Sequence, residues 1–173
     1  MRWGRGGGLP DRTFGHDEII VSKTDRLGKI VYANDVFCRV SGYSEPELIG
    51  KPHSIVRHGA MPRCVFRILW RTISAGDEIF AFVINKAKDG RRYDVFAHVT
   101  PTFGPDGAIV GYHSNRRRPS EAAMAAVEPL YAALVAEEAR FSSLKDGMDA
   151  AEALLGRELD RMGVSYGQLV FSL

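Results

Sequence analysis

The 173-residue chain has only two cysteines, Cys38 and Cys64, and their spacing gives neither a CxxC redox pair nor a zinc framework. Both sit in apolar, helix-patterned segments, so each is expected to act as a small buried hydrophobe. Charge of one sign is also lacking. With 23 Lys and Arg against 21 Asp and Glu, the net charge of +2 creates no field that steers nucleic acid, and the short run Arg116-Arg117-Arg118 is no track for a polyanion. No apolar run approaches the ~20 residues that span a bilayer, and the opening residues have no apolar signal core. A cytoplasmic protein with no nucleic-acid partner and no membrane span is therefore expected. No internal repeat is found, and no Ser/His/Asp or metal constellation marks a catalytic centre, so the chain is not expected to be an enzyme.

What is present suits one well-buried core: 45% of the residues are hydrophobic and 25% charged, and the length allows one domain plus an appendage. Residues 1–16, rich in Gly and Arg, read as a flexible leader. The β-branched run Ile19-Ile20-Val21 and the segment Lys29 to Ala33, joined by turn residues, predict a hairpin. Asn34 and Asp35 then cap a short helix stopped by Gly42, and Ser44 with Glu47 forms a capping box for a second. Val65, Phe66, Leu69, Trp70 and Ile73 recur at helical spacing, which predicts a third helix from about Pro62 to Ser74.

Strands follow over Ile79–Asn85, Arg92–Thr102 and Ala108–Arg116, punctuated by Asp89-Gly90 and Asp106-Gly107. The order β-β-α-α-α-β-β-β predicts an α+β domain over 17–118, a five-stranded antiparallel sheet with short helices on one face. Beyond Pro119 the chain turns Ala- and Glu-rich. A C-terminal helical extension over 119–173 is expected, with a long amphipathic helix kinked at Pro129 and ended by Gly147, then a second over Asp149–Met162. The apolar tail Leu169 to Leu173 suits docking, either on the chain itself or on a partner.

The segments Tyr32-Ala33-Asn34-Asp35, Ser41-Gly42-Tyr43-Ser44 and Glu47 through His53, with Asn85 to Gly90 leading into Tyr93, resemble PAS domains. Pro52-His53, Val56-Arg57-His58, Met61-Pro62, Trp70 and Val127-Glu128-Pro129-Leu130-Tyr131 narrow the resemblance to the FAD-binding PAS domains of bacterial aerotaxis receptors, over about residues 17–135. That resemblance implies a PAS fold enclosing FAD, whose redox state reports oxygen or electron-transport status. Carried over by position, it implies Asn34, Arg57, His58, Trp70 and Asn85 as cofactor-binding residues. Gly59-Ala60 replaces the family's Pro-Asp, and Asp94 stands where a Trp commonly follows the tyrosine.

Such receptors also carry a membrane anchor, a HAMP segment and a chemotaxis signalling domain. Signalling by this chain is accordingly expected to pass to a separate chemoreceptor, kinase or similar protein, with a homodimer as the expected state. The residues leave other readings open. Arg57 suits a pyrophosphate or a surface ion pair, Trp70 a ring stack or core filling, and Asn85 a ligand amide or a turn. Haem is a second cofactor option through His53, His58, His98 or His113. Adduct photochemistry of the light-oxygen-voltage (LOV) type is not expected, because His53 stands where its cysteine would fall. A cofactor-free PAS interaction or dimerisation module is the alternative function.

Overall fold

The computed structural model of the protein describes residues 11–173. Its elements run β1 (Ile20–Asp25), β2 (Ile30–Ala33), α1 (Asp35–Ser41), α2 (Glu45–Leu48), a 3-10 turn (His53–Val56), α3 (Arg63–Ser74), β3 (Ile79–Lys86), β4 (Arg92–Phe103), β5 (Ile109–Arg117), α4 (Glu121–Glu138), α5 (Leu144–Met162) and α6 (Tyr166–Ser172). The five strands form one antiparallel sheet in the order β2-β1-β5-β4-β3. This is the α+β PAS arrangement expected.

Local chemistry places the helices. Asn34 Oδ1 accepts from the Phe37 N–H at 3.0 Å and caps α1, while Gly42, in the left-handed region with φ 73, ends it. Glu47 returns its carboxylate to the Ser44 N–H at 2.9 Å.

Register divides the sheet into two faces, because alternate residues of a strand point to opposite sides. On the inner face Asn85 lies opposite Tyr93, Val83 opposite Val95, and Ala81, Ala97, Arg116 and Ile20 share a row; Tyr112 and Thr24 lie towards the other end. The helices α1–α3 cover this face: Phe37 of α1 meets Arg116, and Ser74 of α3 meets Tyr112. The outer face carries Phe80, Phe82, Phe96 and His98.

The C-terminal helices dock on the chain's own sheet. On α4, Glu128 pairs with Arg92, and the Tyr131 hydroxyl donates to the Phe82 carbonyl on edge strand β3 at 2.8 Å. On α6, Phe171 meets Phe80 edge-on with centroids 4.7 Å apart. The apolar tail is thus a short helix seated in cis.

Two expectations need correction. Residues 1–10 of the expected leader lie outside the described residues, but the body begins before Asp17: Phe14 is buried in the core, and the Arg12 N–H donates to the Arg92 carbonyl at 2.8 Å. Gly147 does not end a helix; α4 stops at Glu138, and Gly147 lies inside α5. A Cβ there would sit 2.6 Å from the Glu138 carbonyl oxygen, so glycine at this position permits the tight α4–α5 crossing. Pro129 lies inside α4, Glu121–Glu138.

Candidate functional site

Between α1 and the inner face lies a polar cluster within an apolar core. Arg116 is 2% exposed. One of its nitrogens, Nη2, donates to Ser22 Oγ, and its guanidinium carbon stands 4.4 Å from the centre of the Phe37 ring. Nε and Nη1 have no hydrogen-bond partner, and no carboxylate of the described residues lies within 4.0 Å of the guanidinium. Burial pulls its pKa down to about 10, against a smaller upward pull from Tyr93. A buried cation without a counter-ion costs several kcal/mol, on the order of a fold's whole margin.

Other donors share its situation. The Asn85 side-chain nitrogen and the Tyr93 hydroxyl are buried without partners among the described residues, and these residues face one another across β3 and β4. Burial pushes the Tyr93 phenol up, and the Arg116 charge pulls it the other way. His53, from the 3-10 turn, stacks on Phe37 with centroids 5.8 Å apart and places Nε2 3.1 Å from Ser22 Oγ. The residue is half-buried. That burial, with Arg116 beside it, pushes the imidazole down to about 3. The group is a neutral His, a Ser and an unpaired Arg, converging where Phe37 supplies an aromatic wall.

At one end of the inner face a backbone bridge joins Arg57 to Asn85, and a cleft of about 380 Å³ opens there, lined among others by Arg57, His58, Arg63, Lys86, Val135 and Glu138. Arg57 lies over the Phe66 ring at 5.3 Å. His58 Nδ1 accepts from the Ala60 N–H at 3.0 Å, which leaves Nε2 as the donor of the neutral ring. Burial is the first cause that lowers the pKa of both Arg57 and His58.

Of the five residues implied by the sequence, the structure therefore unites Arg57, His58 and Asn85. It does not bring Trp70 to them. That indole is 37% exposed and meets the Tyr112 ring edge-on at 5.4 Å, about 25 Å from Tyr93 along β4 at a rise of ~3.3 Å per residue. Asn34 uses its side chain on the fold: Oδ1 accepts from the Val21 and Phe37 N–H groups, and Nδ2 donates to the Ile19 carbonyl. Its effect is to hold α1, and so Phe37, against β1.

Arg116, Tyr93 and Ser22 were missed, and His53 was considered only as a haem ligand. The period-2 pattern held the signal: with Tyr112 and Ser114, Arg116 falls on one face of β5, although as part of a basic triplet it reads as solvated. The histidines considered for haem are dispersed, His98 pairing with Glu78 on the outer face and His113 with Asn115. Among the described residues no group of three His, Cys, Asp or Glu could hold a metal ion, and no helix is long and apolar enough to cross a membrane.

The model of the PAS fold matches residues 19–114, the span that holds α1–α3, the sheet up to the last residues of β5, and Ser22, Phe37, His53, Asn85 and Tyr93 of the polar cluster; Arg116 lies just beyond it. The chain belongs to the PAS family. This PAS domain is 43% identical over 118 residues to the aerotaxis receptor of Escherichia coli strain K12, covering 68% of the chain and 23% of the receptor. It is 31% identical over 99 residues to a nitrogen fixation regulatory protein of Klebsiella pneumoniae, covering 57% of the chain and 20% of that protein. The chain thus spans less than a quarter of the curated relatives it matches.

Among solved structures, the PAS domain superposes on the dark structure of the LOV domain of the blue-light photoreceptor Aureochrome1 with a TM-score of 0.54 and 26% identity, covering 70% of this chain and 84% of that one. A LOV domain from a study of a flavin analogue gives a TM-score of 0.55 at 20% identity, with 62% and 81% covered. The second likeness bears on the fold alone.

Proposed function

We propose that this PAS domain is a cytoplasmic sensor of redox or oxygen status that holds FAD non-covalently and signals by protein contact, as a homodimer or to a separate signalling protein, without catalysing a reaction of its own. The observation that carries this reading is the set of buried donors without acceptors, at Arg116, Tyr93 and Asn85. Buried polar groups in folded proteins nearly always have partners, so such a cluster points to an acceptor-rich ligand. The ring carbonyls and nitrogens of an isoalloxazine supply acceptors, Phe37 suits its flat face, and the cationic cleft beside Arg57 and His58 suits the diphosphate. Bound there, the flavin supplies reversible one- and two-electron chemistry. The likeness to the aerotaxis receptor supports the same choice.

One observation favours a second reading, a cofactor-free interaction module: Phe37, His53 and Arg116 occupy the space between α1 and the sheet. On the first reading the ring enters by replacing the contact of Arg116 with Phe37. Titration of the purified protein with FAD, FMN and riboflavin, followed by quenching of flavin fluorescence, tests the choice. Saturable 1:1 binding with FAD the tightest is expected, and no binding of any of the three leaves only the interaction module.

A further inference from the structure

Glu138 is the last residue of α4 and is 8% exposed. Its Oε1 accepts from the Cys64 N–H at 2.8 Å, in the first turn of α3, whose own cap residue Pro62 offers no side-chain acceptor. The carboxylate thus caps a helix 74 residues away in sequence and lines the same cleft as Arg57, His58, Arg63 and Lys86. None of the three cations has a carboxylate within 4.0 Å among the described residues. A helix N-terminus facing a concave, cation-rich surface favours anions. The place already holds one, supplied by the chain itself.

We propose that Glu138 is the resident competitor of a phosphate-binding cleft: phosphate groups entering beside Arg57, Arg63 and Lys86 lift the Glu138 carboxylate off the Cys64 N–H and loosen the end of α4 from α3. The proposal rests on the flavin-nucleotide reading above and adds a route from ligand to output. The two anions repel at close range and draw on the same cations, so they cannot share the cleft without loss. By linkage, whatever frees Glu138 raises the affinity for phosphate, and phosphate frees Glu138 to the same degree. The helices that follow are the readout. They stay tied to α3 at Arg67 through Asp149 and Glu152, and at Arg71 through Glu152, so release at Glu138 lets α4 pivot while α5 holds.

The test uses ADP, which carries the diphosphate and no isoalloxazine. In the ¹⁵N-labelled protein, ADP is expected to shift the Cys64 amide resonance and to reduce amide-exchange protection in the last turn of α4. Glu138→Gln keeps an acceptor for Cys64 but removes the charge, and it is expected to tighten ADP about tenfold. Arg63→Ala leaves the cap intact and is expected to weaken ADP severalfold, which guards against a Glu138 variant that folds poorly. An unmoved Cys64 amide, or equal ADP affinity in wild type and Glu138→Gln, overturns the proposal. Riboflavin, which has the ring and no phosphate, separates the two readings. If it fails to bind while ADP responds as described, the interior ring site fails and the Glu138 competition stands.

Discussion

The two faces of the sheet are built on opposite principles. The outer face and the β3 edge are partly covered by the chain's own helices, with aromatic contacts among Phe80, Phe96 and Phe171 and a satisfied hydroxyl at Tyr131. The inner face is more deeply buried, yet among the described residues it holds a guanidinium without a counter-ion, an unpaired phenol and an unpaired amide nitrogen. Apolar packing of the same volume would be the more stable filling. A fold that satisfies the donor on one face and leaves buried donors unmet on the other is arranged for something to arrive on that other face.

The contrast can be broken at several points. The largest effect expected short of altering Arg116 concerns His53. Its imidazole is held near pH 3 in the folded chain against ~6.5 when unfolded, so the unfolded state takes up the proton first. The stabilisation is whole above pH ~6.5 and is lost towards pH 3 as the medium acidifies, at about 1.4 kcal/mol per pH unit. Chemical denaturation at pH 7 and pH 5 should show this fall in wild type and a shallower one in His53→Gln. Equal slopes would mean that the ring is solvated.

On the outer side, Tyr131→Phe removes the donor to the Phe82 carbonyl and should cost about 1–2 kcal/mol in a urea melt. Flavin affinity should not change, and a parallel loss of flavin would couple the docking of α4 to the inner face. Smaller still, Phe171→Ala should cost about 0.5–1 kcal/mol, because its ring is 64% exposed and rests edge-on against Phe80. A cost of several kcal/mol would mean that α6 carries the fold rather than resting on it.

The strands, α1–α3 and the sheet arrangement were legible because each rests on local chemistry: caps at Asn34 and Ser44, a helical stripe through Leu69 and Ile73, and turns at Gly90 and Gly107. Gly147 misled because glycine serves equally as a helix end and as a point of close approach, and only the position of the Glu138 carbonyl decides between them. The site was half legible. Family resemblance pointed to Arg57, His58 and Asn85, which the fold assembles. It also pointed to Asn34 and Trp70, whose side chains the fold uses elsewhere. Arg116 went unread because its meaning depends on what lies opposite, and strand neighbours such as Ala97 and Ile20 are distant in sequence.

Denaturation of the ligand-free Arg116→Met variant, set beside wild type, tests the central claim most directly. The account predicts a variant more stable than wild type by about 1–4 kcal/mol, since an uncompensated buried charge gives way to an apolar chain of similar length, and one that no longer gains stability from added FAD. A variant that is less stable without ligand, and that is still stabilised by FAD as strongly as wild type, would contradict it.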